Sequence, residues 1–215
     1  MCFSKRESLL ALIVGTALNV LTVGVLLSEK RYAVDWQMRI ATVLLWQYAL
    51  LMQIPEAAQW HYIDNNKPTP KWIKPTAYVF NNTQPIVPWI IIALTAFYTG
   101  RRVPWWSSIA PIVFTVVAAA LFKSEVVNTS HKGITPVTNC PHLSLHWWQG
   151  KLKCWLPLYF LGVLSVLAVL DNKVQKGVQV TIFVASFLAS YFFYKCGSGS
   201  VWCWLIAPAG LAALI

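Results

Sequence analysis

The chain has 215 residues, 57% of them hydrophobic and 11% charged, whereas soluble domains run at roughly half apolar and about a quarter charged. That balance excludes an ordinary soluble domain. The formal charge of +10 does not describe a nucleic-acid surface either, because the Lys and Arg residues stand between apolar segments, as bilayer-interface anchors do, and form no basic face.

A bilayer core about 30 Å thick is crossed by about 20 mostly apolar residues in a helix. In chain order, the segments read as spans are 8–28, 37–62, 76–99, 103–122, 154–170, 177–195 and 200–215. The first is long and has no small-residue cleavage site before Glu29, so it reads as a retained span and not as a cleaved signal. The last is short, which leaves six spans as the alternative count. Backbone amides in hydrocarbon have no water to bond, and these runs lack the alternation of barrel strands. The expectation is an all-α fold: one polytopic transmembrane helix bundle over residues 1–215, with about seven spans and the lipid bilayer as its first partner.

The connections carry the orientation signals. Trp36, Trp105 and Trp106 mark one interface and Trp60, Trp72, Trp147, Trp148, Trp155, Trp202 and Trp204 the other, as in an aromatic belt. Ten of the 17 Lys and Arg residues lie over long loops on the side that holds the N-terminus, and seven lie in short loops opposite. Count and density therefore disagree under the positive-inside rule. The sequon Asn128-Thr129-Ser130, and a Cys140–Cys154 pair able to bridge in an oxidising compartment, favour an exoplasmic or luminal N-terminal side.

Polar residues gather on that same side. Ser4 and Ser8 open the first span, Gln53, Glu56, Gln59 and His61 close the second, and Asn81, Asn82 and Gln84 open the third. Glu56 follows an apolar run from Leu50 interrupted only by Gln53, at a depth where an acid costs up to about 2.5 to 3.5 kcal/mol on insertion scales. It therefore needs a partner or a wet cavity. Helical spacing puts Gln53, Glu56 and Trp60 on one face. The functional reading is a proton-carrying or ligand-binding carboxylate; the structural one is a hydrogen-bond hub held by the amides of the third helix. Pro85 and Pro88 each remove a backbone donor, so freed carbonyls beside Asn82 and Gln84 could take a cation or polar ligand, or the kink could be closed by neighbouring side chains.

The fourth loop holds Cys140, His142 and His146, donor types that suit zinc, but the spacing matches no standard module. The reading taken is no metal site, with those three residues as the alternative. Ser200 reads as an N-cap at the start of the last span and lacks the surroundings of a hydrolase nucleophile. No retinal Schiff base is expected, since Lys195 lies at a helix end and the last span has no lysine. No other cofactor is indicated.

With these residues lined up, Met1-Cys2-Phe3-Ser4, Gln53 with Glu56 and Trp60, Gln84-Pro85 and Gly199-Ser200-Val201-Trp202-Cys203 together resemble motifs of a family. These are uncharacterised membrane proteins of microbes and large DNA viruses that begin Met-Cys-Phe-Ser or Met-Cys-Trp-Ser. The motifs cover about a tenth of the chain. The resemblance implies a shared site on the N-terminal membrane face and no particular chemistry.

Three functions remain open at this point. One is a polar cavity, floored by Glu56 and lined by Gln53, Asn82, Gln84, Ser4, Ser200 and Trp60, that binds or moves a small polar solute or ion. Another is a membrane enzyme, a hydrolase or redox protein, using His142, His146, Cys2 or Cys203. The third is a structural or viral-membrane assembly protein. No nucleic-acid partner is expected.

Overall fold

The computed structural model describes residues 4–32, 35–127, 134–137, 140–145, 151–170, 172–193 and 205–215, with the backbone alone at 31, 134–137, 140–145 and 193. Among these, eight α-helices run in the order α1 Lys5–Ser28, α2 Trp36–Leu50, α3 Gln53–Asp64, α4 Ile73–Asn82, α5 Ile86–Tyr98, α6 Ile109–Phe122, α7 Leu156–Ala168 and α8 Lys173–Phe193. Between α6 and α7 a short antiparallel hairpin pairs β1 (Ile134–Val137) with β2 (Cys140–Leu145), and β1 lies against α3. The body is helical. Three helical stretches, Lys5–Ser28, Trp105–Val127 and Lys151–Ala168, are long and apolar enough to cross a membrane.

Helix α1 shows how the body is organised. Ser4 caps it, its hydroxyl accepting from the Glu7 amide at 3.2 Å, and Glu7 complements the helix dipole in the first turn. The buried residues recur every three or four positions and are small or polar for the most part: Ser8, Ala11, Gly15, Asn19, Thr22 and Leu26. Large apolar side chains such as Ile13, Val20, Leu21 and Leu27 point outward, each more than 60% exposed. This inverts the pattern of a soluble helix, and it is the arrangement that suits helices packed together in lipid.

Two segments read as single spans are each split. Within 37–62 the chain tightens at Leu51 and Met52, where Leu51 N–H bonds Tyr48 O and Met52 N–H bonds Ala49 O. Pro55 is the cause: it has no N–H to offer the Leu51 carbonyl, which accepts from Ile54 instead at 3.1 Å. Within 76–99 the helix stops at Thr83-Gln84-Pro85 and restarts at Ile86, because Pro85 and Pro88 lack the N–H groups that would bond Asn81 O and Gln84 O. The last predicted span also differs, since its described part, 205–215, closes in a 3₁₀ turn over Ala209–Leu214. That turn is rich in Ala and carries Gly210 against another helix, so close approach governs its shape.

Helix α1 packs against α2, α3 and the closing turn; α2 also packs against α5 and that turn; α7 packs against α5, α6 and α8. Lys5 meets His61, Thr16 and Asn19 meet Gln47, and Gly15 faces Leu50, so α1 runs antiparallel to α2 and α3. The turn after α5 needs a left-handed residue, and Gly100 supplies it at φ +70°, letting Arg101 N–H reach Ala96 O at 2.8 Å. Trp72, Trp105, Trp106 and Trp155 are exposed at helix ends.

Candidate functional site

Helix α3 places its polar residues on the face turned into the protein. Gln53 and Glu56 are wholly buried and Gln59 nearly so; they follow one another at helical spacing. Gln59 donates through Nε2 to Thr69 Oγ1 at 3.0 Å, which ties α3 to the proline-rich connection that follows. Trp60 is only half-buried and packs at the edge of the main apolar core. The end of α3 is pinned to the start of α1, with Lys5 Nζ 3.3 Å from His61 Nδ1. Ser8, on the buried face of α1, therefore lies along α3 between the levels of the Lys5–His61 and Gly15–Leu50 contacts. Its hydroxyl is buried and has no hydrogen-bond partner among the described residues.

The amides beyond α3 turn elsewhere. Gln84 accepts through Oε1 from the Tyr159 hydroxyl of α7, while Asn82 donates through Nδ2 to Tyr78 O of its own helix at 2.9 Å. Thr83 bonds back to Val79 O and also meets the Tyr48 hydroxyl of α2. Side chains of α2 and α7 thus meet the break at Pro85. Asn82 lines a groove of about 260 Å³ between α4 and α6, together with Tyr78, Thr83 and Thr115. Gln53, Glu56 and Trp60 share a helix, whereas Gln84 bonds to α7 and Asn82 bonds within its own helix beside α6. Ser4 serves as a helix cap. Ser200, His146, Cys2 and Cys203 lie outside the described residues, as do the side chains of Cys140 and His142. Cys154 is an exposed free thiol and makes no bridge. Among the described residues no group of three His, Cys, Asp or Glu side chains is placed to hold a metal ion.

The structure adds buried polar groups that sequence reasoning passed over. Asn19 in α1 donates to Gln47 Oε1 at 2.8 Å, and Gln47 Nε2 donates to Thr16 Oγ1 at 3.0 Å. The Trp46 indole donates to Gln179 Oε1 in α8, whose own Nε2 has no partner among the described residues. Arg39 is buried against Asp35 at 2.8 Å and donates to Ala213 O at 2.8 Å, with its guanidinium 4.9 Å from the Tyr32 ring centre. Glu125, a second buried acid, accepts from Lys151 N–H at 3.2 Å. The signals were present as an Asn in the middle of an apolar helix, Gln175 and Gln179 one turn apart, and Asp35 four residues before Arg39.

Set beside known proteins, the chain matches no family model, no curated protein and no solved structure.

Proposed function

We propose that the chain is a seven-span membrane protein, with its N-terminal side exoplasmic or luminal, that binds or moves a small polar solute or ion through a polar interior in which Glu56 is the charge-bearing group. The observation that carries this reading is Glu56 itself: its side chain has 0% exposure within a helical body whose outward faces are apolar. Burying a carboxylate is costly wherever water is absent, and intramembrane acids generally mark ion or substrate paths. Gln53 one turn earlier and Gln59 one turn later give the same face neutral donors and acceptors that orient a polar guest. The seven crossings take α2 with α3, and α4 with α5, as one span each. Kinship with the Met-Cys-Phe/Trp-Ser membrane proteins is part of the proposal, since their motif residues Gln53, Glu56 and Trp60 belong to this face.

A packing role is the second reading, favoured by a specific observation. Several buried polar side chains already bond one another across helices, as Tyr159 does to Gln84 and Trp46 to Gln179. The two readings separate on Glu56→Gln, which preserves shape and hydrogen bonding but cannot ionise. Purified wild type and variant are reconstituted in liposomes, and proton, sodium and potassium fluxes are followed over a pH series. A flux present in wild type and at least tenfold lower in the variant is expected; equal fluxes at every pH would remove Glu56 from the function. Orientation has its own check. An impermeant maleimide added to intact cells or sealed microsomes should label Cys154 from the exoplasmic or luminal face, with Cys154→Ser as the blank, and labelling only from the cytoplasmic face reverses the topology.

A further inference from the structure

A groove between α2 and α5 opens at the end of the helical body where α1 finishes. Trp36 and Gln37, at the start of α2, line it together with Tyr98 and Thr99, at the end of α5. These two helices are therefore antiparallel, and the mouth of the groove lies where both predicted spans begin or end. From Trp36 to Leu44 the groove follows about 12 Å of helix rise inward. Lys30, just before α2, and Arg101 and Arg102, just after α5, belong to the same end. Lys30 and Arg102 are exposed, and neither forms an ion pair among the described residues. Of the acids there, Asp35 is already paired with Arg39, which leaves Glu29 against three cations.

The groove changes character along its length. Its inner part is built from Ile40, Ala41 and Leu44, and Leu44 and Tyr98 are exposed along it. Toward the mouth the Thr95 and Thr99 hydroxyls are occupied, donating to Ile91 O and Thr95 O at 2.8 Å each. The Trp36 indole and the Gln37 amide take no part in a side-chain hydrogen bond among the described residues. Both side chains line the groove and are only half-buried, so a guest lying in it meets them directly. Each brings an N–H donor. Gly100, at φ +70°, turns the chain just beyond, with Arg101 N–H on Ala96 O, and so holds Arg101 and Arg102 two and three residues past Thr99. An apolar channel thus leads out to neutral donors and then to positive charge. Its volume is about 290 Å³, several times the roughly 30 Å³ share of one water.

We propose that this groove is a binding site for an anionic phospholipid. One acyl chain lies along Ile40, Ala41 and Leu44, the ester oxygens accept from Trp36 and Gln37, and the negative headgroup sits in the field of Arg101 and Arg102. A zwitterionic headgroup brings an ammonium that the excess of cations at the mouth repels. On the orientation proposed above this end is cytoplasmic, the face whose leaflet carries the anionic lipids. The inference rests on the membrane reading of the preceding section and is separate from any role of Glu56.

The test uses phosphatidylglycerol and phosphatidylcholine probes with identical chains, each bearing a photoreactive diazirine midway along one of them. Native membranes are first washed at alkaline pH; loss of the chain into the wash overturns the membrane reading, and the lipid site falls with it. The full chain is then reconstituted in phosphatidylcholine bilayers with a trace of either probe. The anionic probe is expected to label peptides of α2 and α5 about fivefold more strongly than the neutral one, the effect of one cation near the headgroup, while α1 takes both equally. Arg102→Gln, a change at an exposed position, should remove most of that preference. Leu44→Trp, which fills the groove from its exposed side, should bring labelling of α2 and α5 by the anionic probe down to that by the neutral one. Equal labelling by the two probes, or a preference unchanged in Arg102→Gln, overturns the lipid site alone. So does a preference spread evenly over every helix, which is what an unselective lipid annulus gives, and so do crosslinks joining two chains through α2 and α5, which would make a second copy the occupant. Should Leu44→Trp fail to accumulate, the probe comparison and Arg102→Gln still decide.

Discussion

Helix α1 and helix α7 are joined to their neighbours by the same two devices in different proportions. Along α1 polar contacts are prominent: Asn19, Gln47 and Thr16 form a chain of side-chain hydrogen bonds, and Arg39 of α2, with Tyr32 in the turn before it, holds the closing turn by donating to Ala213 O and Leu214 O respectively. Around α7 close approach is prominent beside the Tyr159 bond to Gln84. Gly162 leaves room for Pro85 and Pro111, since a methyl group there would meet Pro85 Cβ at 2.8 Å, and Phe114 meets Tyr159 edge to face at 5.3 Å. Surrounded by lipid, apolar side chains gain nothing by leaving the solvent, so helices associate by close backbone approach or by hydrogen bonds. Hydrogen bonds between side chains are the more prominent device along α1, and close approach is the more prominent one along α7. The polar region also holds the buried Gln53 and Glu56.

The sharpest way to break the polar region is at Arg39. Arg39→Ala removes the pair with Asp35, the bond to Ala213 O and the contact with the Tyr32 ring together. Hydrogen bonds to charged groups are worth about 1.5 to 3 kcal/mol, and the partly exposed Asp35 holds the total near the upper end of that range. A loss of about 2 to 3 kcal/mol is expected, read as a lower midpoint in denaturant titration of the detergent-solubilised protein, with the closing turn cut early by protease. Arg39→Lys should recover less than half, because a point charge cannot reach the carboxylate and the carbonyl at once. Full stability in Arg39→Ala would show that the closing turn is held by packing alone.

The steric region breaks at Gly162. Gly162→Ala adds one methyl group against a proline ring and the Pro111 backbone, neither of which can swing aside, and overpacking of this kind costs about 1 to 3 kcal/mol. Gly24→Ala is the matched control, since a methyl there meets nothing within 4 Å and helix propensity favours alanine by up to about 1 kcal/mol. The measurement is the difference between the two midpoints. If they shift equally, close approach is not what joins α6 to α7.

Much of this division could be read in the sequence, and what could not has a definite physical cause. The burial of Glu56 was legible because the residues before it are nearly all apolar, and an acid there has few places to go but inward. The breaks near Pro55 and Pro85 were half legible: the prolines announce a disturbance, but the sequence does not say that each long span becomes two helices. The partners of Arg39 were not legible at all, since Ala213 stands 174 residues away and contributes a carbonyl, which every residue has. Gln84 was grouped with Glu56 because both lie toward one end of the bundle. Its bond to Tyr159 depends on which way the helix turns at the break, where Pro85 sits close against Gly162 of α7.

The smallest expected effect separates the two devices most cleanly. Gln47→Leu removes the middle of the Asn19–Gln47–Thr16 chain and keeps the volume, so any loss is polar in origin. Side-chain hydrogen bonds between membrane helices average about 0.6 kcal/mol and reach about 1.7. Asn19 raises the expectation toward the upper figure, because its Oδ1 already has no partner among the described residues and would then be joined by an idle Nδ2. The helix cannot rotate to relieve it, since Gly210 packs so tightly that a methyl group there would overlap Asn19 Oδ1. A double-mutant cycle of Gln47→Leu with Asn19→Leu should therefore give a coupling of about 1 kcal/mol. A coupling near zero would mean that α1 is held, like α7, by its small residues Ala11 and Gly15, and the contrast between the two regions would be one of composition without energetic content.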